Sequence, residues 1–508
     1  MQEELKEEKS PYFAALDLGS NSFHLIVVKA SEGGGFVELD KLKSMVRLGE
    51  GIGADKRLGG VAVVRALDAL SEMKERLKNV PTEQFRAVGT NTMRIAANGA
   101  EFLSAAEAAL GREIEIIGGI EEARLIYRGI SSTQNFKGRN LVIDIGGGST
   151  EIIIGEGQKP LLLRSIKMGC ANMTSSFFSK GKITKNSIKE AVNFVGQNIE
   201  PYIKIIREHK WQNAITSSGT AKSVEKVLGN KLFNPDKNQN GITKVGLQKL
   251  LDELESIGTY EKLPEKLGID EARAFGFCGG VCILYGLFEQ LGIKQAEVSQ
   301  AALREGVLFE LMEKESGITN DEAEITVSAM QQRFDIDIKQ AENVASLANY
   351  LALFMTEKTP KRFARLLKFS CALHEIGLAV SRSKQHNHGA YLIENSDMPG
   401  FSQQMQKMMS VLIKGQRKKL PQKQFKEIQP QYRAFLWQSL LVLRLSVLLN
   451  RARIDINKSD YPKLKFDANT VTVKFRKNYL QDNPLTLADF NEEMKSWADS
   501  GIFNLKYE

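Results

Sequence analysis

The sequence is poor in the residues that staple or anchor a chain. Only four cysteines, Cys170, Cys278, Cys282 and Cys371, occur in 508 residues, which excludes a disulfide framework and points to a reducing compartment. Cys278 and Cys282 sit in Phe-Cys-Gly-Gly-Val-Cys-Ile-Leu. That apolar setting places both on one helix face as core thiols rather than a metal pair. The first ten residues are charged and carry no apolar run, so no signal peptide is expected. The longest apolar stretch, Phe435 to Leu449, is broken by Gln438 and Arg444. It is too short to span a bilayer and reads as a buried helix. A cytoplasmic protein without stable membrane insertion is expected. Charge is not extreme either: the net value of +8 fits a polyanionic partner without choosing among nucleic acid, nucleotide and phosphate polymer. Hydrophobic content of 42% and charged content of 26% are ordinary for a globular chain. The length implies three or four domains.

What is present centres on Leu141 to Ile154, Leu-Val-Ile-Asp-Ile-Gly-Gly-Gly-Ser-Thr-Glu-Ile-Ile-Ile. Two β-branched runs around a glycine turn read as a tight hairpin. Asp144 ends the first strand and Glu151 begins the second. Gly146, Gly147 and Gly148 let backbone N–H groups approach a ligand closely. Successive N–H groups make an anion nest, to which Ser149 and Thr150 add hydroxyls. Two carboxylates beside such a nest point to a divalent cation bridging protein and phosphate oxygens. Alone, a Gly-Gly-Gly turn is an ordinary hairpin turn. The chain, however, carries the device twice. Phe13 to Val28 again runs from an apolar strand through Asp-x-Gly and small polar residues into an apolar strand. Asp17, Gly19, Ser20, Asn21 and Ser22 correspond to Asp144, Gly146, Gly147, Gly148 and Ser149. Two copies one domain apart imply a duplicated α/β domain with a ligand cleft between the halves.

Along the chain, 1–11 reads as a mobile tail and Gly33 to Gly35 as a turn. Lys41 to Leu48 reads as a basic strand. A helix is expected over Val61 to Leu77, a strand over Arg86 to Gly89, a helix over Gly99 to Leu110 and a strand over Glu113 to Ile116. A further helix opens at Gly118 and Gly119. The second half is expected to hold a strand over Leu161 to Ile166 and helices over Lys185 to Ile206 and Glu271 to Gln290. The Ser217 to Thr220 turn opens a helix there, a third possible anion contact. A helix over Ala301 to Lys314 closes this half. Beyond Ser316 long helical periodicities dominate: Asp321 to Arg333, Ile338 to Thr356, Phe363 to His374, Met405 to Ile413 and Tyr432 to Leu449. Lys414 to Leu420, with Arg444, Arg451 and Arg453, reads as solvated surface or a polyanion track. Leu464 to Phe475 and Ile502 to Tyr507 alternate as strands around a helix, Leu487 to Trp497.

Hydrolysis of a phosphoanhydride needs a gripped terminal phosphate, cations, and a group that deprotonates water. Among the five histidines, His24 lies in a return strand and reads as structural. Glu122 opens a helix after Gly118-Gly119, where it can face the cleft. Glu121, its exposed-looking neighbour, is not excluded by position alone. Arg94 follows a strand end and could hold a phosphate bidentately. The segments Asp17 to His24, Thr90 to Arg94, Gly119 to Arg124, Asp144 to Glu151, Ser218 to Thr220 and Ala302 to Gly306 occur in this order. Together they closely resemble the Ppx/GppA phosphatase family, exopolyphosphatases and guanosine pentaphosphate phosphohydrolases, in its long bacterial four-domain form.

The resemblance implies an α/β fold of duplicated actin-like (ASKHA, ribonuclease H-like) domains. A mainly helical HD-like domain and a small α+β C-terminal domain follow, with limits at 1–125, 126–312, 313–455 and 456–508. It implies Mg²⁺-assisted hydrolysis of terminal phosphoanhydrides. The family's catalytic glutamate precedes alanine, which selects Glu122. Asp144 and Glu151 would hold the metal, with Asp17 a weaker candidate. Asn21, Ser22, Arg94 and the Gly146, Gly147, Gly148, Ser149 and Thr150 loop would grip phosphates, with Arg47 assisting. In the helical domain the pair is His374-Glu375 where an HD site needs His-Asp, and no histidine lies between His209 and His374. A degenerate domain without metal chemistry is expected, serving binding and dimerisation, with His374 a satisfied core histidine. A homodimer with no nucleic-acid partner is expected. Polyphosphate is placed first as substrate and guanosine pentaphosphate second. A kinase of the same superfamily would need a base set against an acceptor hydroxyl. A non-catalytic binding regulator would not need Glu122, Asp144 and Glu151 intact.

Overall fold

In the computed structural model, residues 10–31, 35–53, 55–134, 137–230, 233, 241–315 and 321–508 are described. The expected tail over 1–9 and most of the turn at Gly33 to Gly35 lie outside them. The chain divides into two compact units, 1–319 and 320–508.

The first unit opens with β1 (Tyr12–Leu18), β2 (Phe23–Ala30) and β3 (Phe36–Ser44). Then come α1 (Gly60–Arg76), β4 (Phe85–Gly89), α2 (Asn91–Ile95), α3 (Gly99–Leu110), β5 (Glu115–Ile116) and α4 (Gly119–Thr133). The second lobe begins with β6 (Arg139–Ile145), β7 (Thr150–Glu156), β8 (Lys159–Ile166), α5 (Cys170–Phe177), α6 (Lys185–Glu208) and β9 (Asn213–Ser217). It continues through α7 (Ser218–Leu228), β10 (Ile242–Thr243), α8 (Lys244–Ile257), α9 (Leu263–Leu267), α10 (Glu271–Leu291), β11 (Gln295–Val298) and α11 (Leu303–Glu315).

The two sheets repeat one plan. The first has the order β3-β2-β1-β4-β5 and the second β10-β11-β9-β6-β7-β8. In each, two antiparallel hairpins lead into parallel strands. Asp17 pairs with His24 in the first hairpin as Asp144 pairs with Glu151 in the second. The duplication read from two short motifs is therefore carried by whole sheets. One return strand places a histidine where the other places a carboxylate.

Apolar strand faces on both sheets explain why the lobes close on each other. Phe13, Ala15, Ile26 and Val28 from the first sheet share a core with Val142, Ile153 and Ile215 from the second. Helices α4 and α11 fill the space between, contributing Ala123, Ile126, Tyr127, Leu303 and Val307. Their backbones touch: a Cβ on Gly129 would overlap the Ala302 carbonyl, and one on Gly306 the Leu125 carbonyl. Glycine is required there by close approach rather than by a turn.

The second unit is mainly helical: α12 (Glu322–Arg333), α13 (Ile338–Ala352), α14 (Leu366–Ala372), α15 (Gln385–Asn395), α16 (Gln403–Gly415), α17 (Gln422–Lys426) and α18 (Pro430–Leu449). A three-stranded sheet of β12 (Lys463–Asp467), β13 (Thr470–Lys474) and β14 (Asn504–Tyr507) follows, with α19 (Tyr479–Asp482) and α20 (Pro484–Ser500). Leu464, Val471, Phe490 and Trp497 belong to the same core as the helices. Helix α18 spans 20 residues, so length does not exclude a membrane span as the broken apolar run indicated. Burial accounts for its composition, and Arg444 in its middle pairs with Glu493 of α20. Helix α10 is a second long apolar helix with the same explanation, packed in the core of the second lobe. His374 is buried as expected, but only half satisfied. Its Nδ1 lies 2.7 Å from the Cys371 carbonyl and its Nε2 has no partner. Glu375, which follows it, is paired at 2.7 Å with Arg453, and Arg453 also meets Asp337 at 2.7 Å.

Candidate active site

The two glycine loops are built alike. In the second hairpin the Gly146 N–H donates to the Ser149 carbonyl at 2.9 Å, closing the turn. The loop carbonyls point backward. Gly146 O accepts from Cys170 N at 2.9 Å, Gly147 O from Ala171 N at 3.0 Å, and Gly148 O from the Asn172 amide at 3.2 Å. Those donors are the first N–H groups of α5 and a side chain beside them, so α5 holds the loop from behind. The Gly146 amide is spent inside the turn, contrary to the sequence expectation, which leaves the Gly147 and Gly148 amides as the donors of an anion nest. In the first hairpin, Ser20 O accepts from Gly49 N and Asn21 O from Arg47 N, both at 2.7 Å. The loops meet across the lobes: a Cβ on Gly147 would lie 3.1 Å from Ser20 Cβ, and one on Gly148 would overlap the Asn91 amide.

Four carboxylates gather beside these loops. Asp144, at the end of β6, accepts a hydrogen bond from Ser217 Oγ at the entry to α7. Glu151 is the second residue of β7 and is fully buried. Its Oε1 accepts from Ser165 Oγ at 2.8 Å and its Oε2 has no partner. Asp17 Oδ1 is likewise buried without a partner. Glu122 stands in the first turn of α4 and receives Arg94 Nη1 at 2.9 Å. Burial raises all four pKa values, and repulsion from neighbouring carboxylates adds to the rise at Asp17, Asp144 and Glu151. Asp17 reaches about 7, through burial first, opposed by Arg304 and reinforced by Glu122 and Asp144. Asp144 reaches about 6, through burial opposed by the Ser217 hydrogen bond. Glu151 is pushed well up by burial, then by Glu122 and Asp144. Glu122 is raised by burial, against Arg94.

These uncompensated oxygens fit a hard divalent cation. Two orphaned buried carboxylate atoms, on Asp17 and Glu151, are the observation behind that fit. Among the described residues, no three His, Cys, Asp or Glu side chains converge as a ready-made metal site. Magnesium commonly takes one or two carboxylates and completes its shell with water and phosphate oxygens, which this arrangement allows.

Several sequence expectations change in detail. Glu121 is not exposed: it retains 2% of its surface and forms a two-pronged pair with Arg124, both contacts 2.8 Å. Thr150 is brought to the loop, but its hydroxyl donates to the Met168 carbonyl in the core, away from a ligand. Arg94 is turned to Glu122 and to the Ile117 carbonyl at 2.8 Å. Arg47 lies past the end of β3, in a loop with φ of 49°. Asn21 and Ser22 are half-buried at the loop tip, and Ser22 Oγ meets His24 Nε2 at 2.7 Å. His24 therefore adjoins the site rather than only the core. Sequence reasoning missed the cations around it. Arg304, Lys43, Arg273 and Lys222 all act on His24, whose pKa burial and these charges lower to about 3. Arg304 lay inside the Ala302 to Gly306 motif, whereas nothing local marks Arg273. Gly169 and Asn91 were also missed; both are positions where the loops are packed.

A paired actin-like fold whose two hairpin turns meet beside one carboxylate cluster has the layout of a phosphoryl-transfer protein. The chain matches the Ppx/GppA phosphatase family over residues 26–315 and that family's domain III over residues 323–494. It is 34% identical over 498 residues to the guanosine-5'-triphosphate,3'-diphosphate pyrophosphatase of Vibrio atlanticus (strain LGP32), covering 97% of each chain. It is 36% identical over 411 residues to the protein of that name from Aeromonas hydrophila, covering 80% of this chain and 81% of that one. A solved Ppx/GppA family member from Aquifex aeolicus shares 25% identity at a TM-score of 0.51, over 60% of this chain and 98% of that one. The chain belongs to the Ppx/GppA phosphatase family and is a hydrolase acting on phosphoanhydride bonds.

Proposed function

We propose that the chain hydrolyses the terminal phosphoanhydride of guanosine 5'-triphosphate 3'-diphosphate, leaving guanosine 5'-diphosphate 3'-diphosphate and orthophosphate. The observation that carries the chemistry is Glu122, a buried carboxylate of raised pKa at the start of α4, held by Arg94 beside the carboxylate cluster. In this reading the turn amides of Gly147 and Gly148, the Ser149 hydroxyl, Asn21 and Ser22 fix the terminal phosphate, while the Gly146 amide closes the turn on Ser149. Glu122 takes a proton from water. The water oxygen attacks the terminal phosphorus, the bridging P–O bond breaks, and its electron pair leaves on the oxygen of the shortened nucleotide. Arg94 keeps the Glu122 carboxylate aimed and adds positive charge near the phosphate. Asp144 and Glu151, with Asp17 as a weaker third, would hold a divalent cation such as Mg²⁺, which when bound neutralises phosphate charge.

The names of relatives matched over nearly the whole chain support the nucleotide as substrate. They reverse the order expected from the sequence, in which polyphosphate came first. Inorganic polyphosphate ends in the same bond and is the second substrate of this reading. Domain limits at 125/126, 312/313 and 455/456, a homodimer, a cytoplasmic location and no nucleic-acid partner are part of the same reading. The test is steady-state phosphate release with Mg²⁺ from guanosine pentaphosphate and long-chain polyphosphate. Glu122→Gln is expected to lower release by roughly 10²- to 10⁴-fold, and Asp144→Asn to lower it by weakening cation binding. Wild-type protein that releases phosphate from neither would overturn the reading.

A further inference from the structure

We propose that the cavity between Arg47 of the first lobe and Tyr260, Glu261, Glu271 and Phe275 of the second is a purine pocket that reads guanine. The proposal rests on the nucleotide reading above and names how that substrate would be chosen. The cavity holds about 720 Å³, in the size range of small-molecule sites.

Its position suits the base of a nucleotide whose phosphates lie at the glycine loops. On one side, the 47–49 segment is laid directly on the first loop through the Arg47 and Gly49 amides, both at 2.7 Å. On the other side, α10 packs against the segment that supports the second loop. A Cβ on Gly276 would sit 3.2 Å from Cys170 Sγ, and the Cys170 N–H is the donor that holds Gly146 O. Arg273, beside this wall, reaches Gly219 at the start of α7. The cavity is therefore one layer of residues from each phosphate loop.

Its chemistry is that of a guanine reader. Tyr260 and Phe275 meet edge to face at 5.7 Å, offering an aromatic wall for a flat base. Glu271, Ala274 and Phe275 fall at i, i+3 and i+4, on one face of α10. The Glu271 carboxylate is thus presented beside the aromatic wall, and Glu261, next to Tyr260, also lines the cavity. Guanine carries N–H donors along one edge and the N7 and O6 acceptors on the other. A carboxylate satisfies the donors, and an arginine the acceptors. Arg47 supplies the latter. It is a non-glycine residue held at φ of 49° by its hydrogen bond to the first loop, the kind of backbone strain that accumulates at binding sites. Glu50 and Glu265 also line the cavity. So acidic a lining repels a polyphosphate chain and suits the uncharged base.

The test compares Phe275→Ala and Glu271→Gln with wild type on guanosine pentaphosphate and on inorganic tripolyphosphate, which has no base. It also measures binding of guanosine tetraphosphate by calorimetry. The expected result is a rise in KM for the nucleotide of roughly tenfold or more for Phe275→Ala, from lost stacking. Glu271→Gln should erase the preference for the guanosine over the inosine nucleotide, which lacks the N2 amino donors. Tripolyphosphate hydrolysis should change less than about twofold. Equal losses on both substrates, or no loss on either, would overturn the pocket. If wild type binds guanosine tetraphosphate in a Phe275-dependent way yet does not hydrolyse the pentaphosphate, the hydrolysis reading fails and the pocket stands. Glu271→Gln is nearly isosteric on an exposed turn, so it keeps the test intact should Phe275→Ala misfold.

Discussion

At the scale of single residues, the site depends on atoms that never meet a ligand. Gly169 is one. Its φ of −119° is ordinary, so backbone strain does not demand glycine there. Space does: a Cβ would overlap the backbone of Gly147 and Gly148. Gly169→Ala should displace the second loop and cut kcat/KM by roughly tenfold or more, since small misplacements at a reacting centre are costly. Its melting temperature should move by only a few degrees, because one loop is affected. Wild-type kinetics in this variant would show that the loop yields freely. His24 gives a prediction with a sign. Its folded pKa of about 3 lies below the ordinary 6.5, chiefly through burial and then Arg304, Lys43, Arg273 and Lys222. The unfolded chain therefore binds the proton first as pH falls. Stability from this residue is complete above pH 6.5 and is lost between 6.5 and 3, by at most about 1.4 kcal/mol per pH unit. Asp17 and Asp144 act oppositely, since their raised values favour the folded state at low pH. The readout is thus the difference between wild type and His24→Asn in urea unfolding at pH 7.5 and pH 5. The variant should lose less stability on acidification, and parallel losses would mean that His24 is protonated in the folded protein.

At the scale of elements, α4 is held at both ends of its job. Its first turn presents Glu122, and the neighbouring Glu121 is locked by Arg124, which also pairs with Glu310 of α11. Arg86 of β4 joins the same group, 3.0 Å from Glu115 and 2.7 Å from Glu310. Lower down, Gly129 and Gly306 let α4 and α11 touch backbone to backbone. Gly306→Val should force the helices apart and cost several kcal/mol, as overpacking of a fixed interface does. A thermal melt within about two degrees of wild type would contradict that. Much of this region was legible in the sequence. Strand, glycine turn and strand announce themselves through β-branched runs and Asp-x-Gly, and the helix starting at Gly119 has a clear onset. What was not legible is pairing at long range. Arg86 and Glu310 stand 224 residues apart, and no local pattern links them. Glu121 looked exposed because charge next to charge usually is, and only the folded partners show why it is not. The helix α15 was missed for a different reason: the His, Asn, His and Gly residues of its first turns have low helix propensity and no apolar period.

At the scale of the molecule, the chain is two units with separate interiors. The cores of the first unit are built from residues before 312, and the core of the second from residues after 322. The two hairpin loops and the four carboxylates, Glu122 among them, all lie in the first. Separate cores of this size each unfold cooperatively, so calorimetry should resolve two transitions. A ligand that binds only folded protein stabilises the unit holding its site, by about 2.7 kcal/mol when present at a hundred times its Kd. Guanosine tetraphosphate with Mg²⁺ should therefore raise one transition by several degrees and leave the other in place. Removing the cation with a chelator should shrink that shift, because uncompensated charge then remains among Asp17, Asp144, Glu151 and the phosphates. Equal displacement of both transitions would mean that the second unit contributes to the site or unfolds with the first. No displacement of either would remove the nucleotide from the cleft altogether.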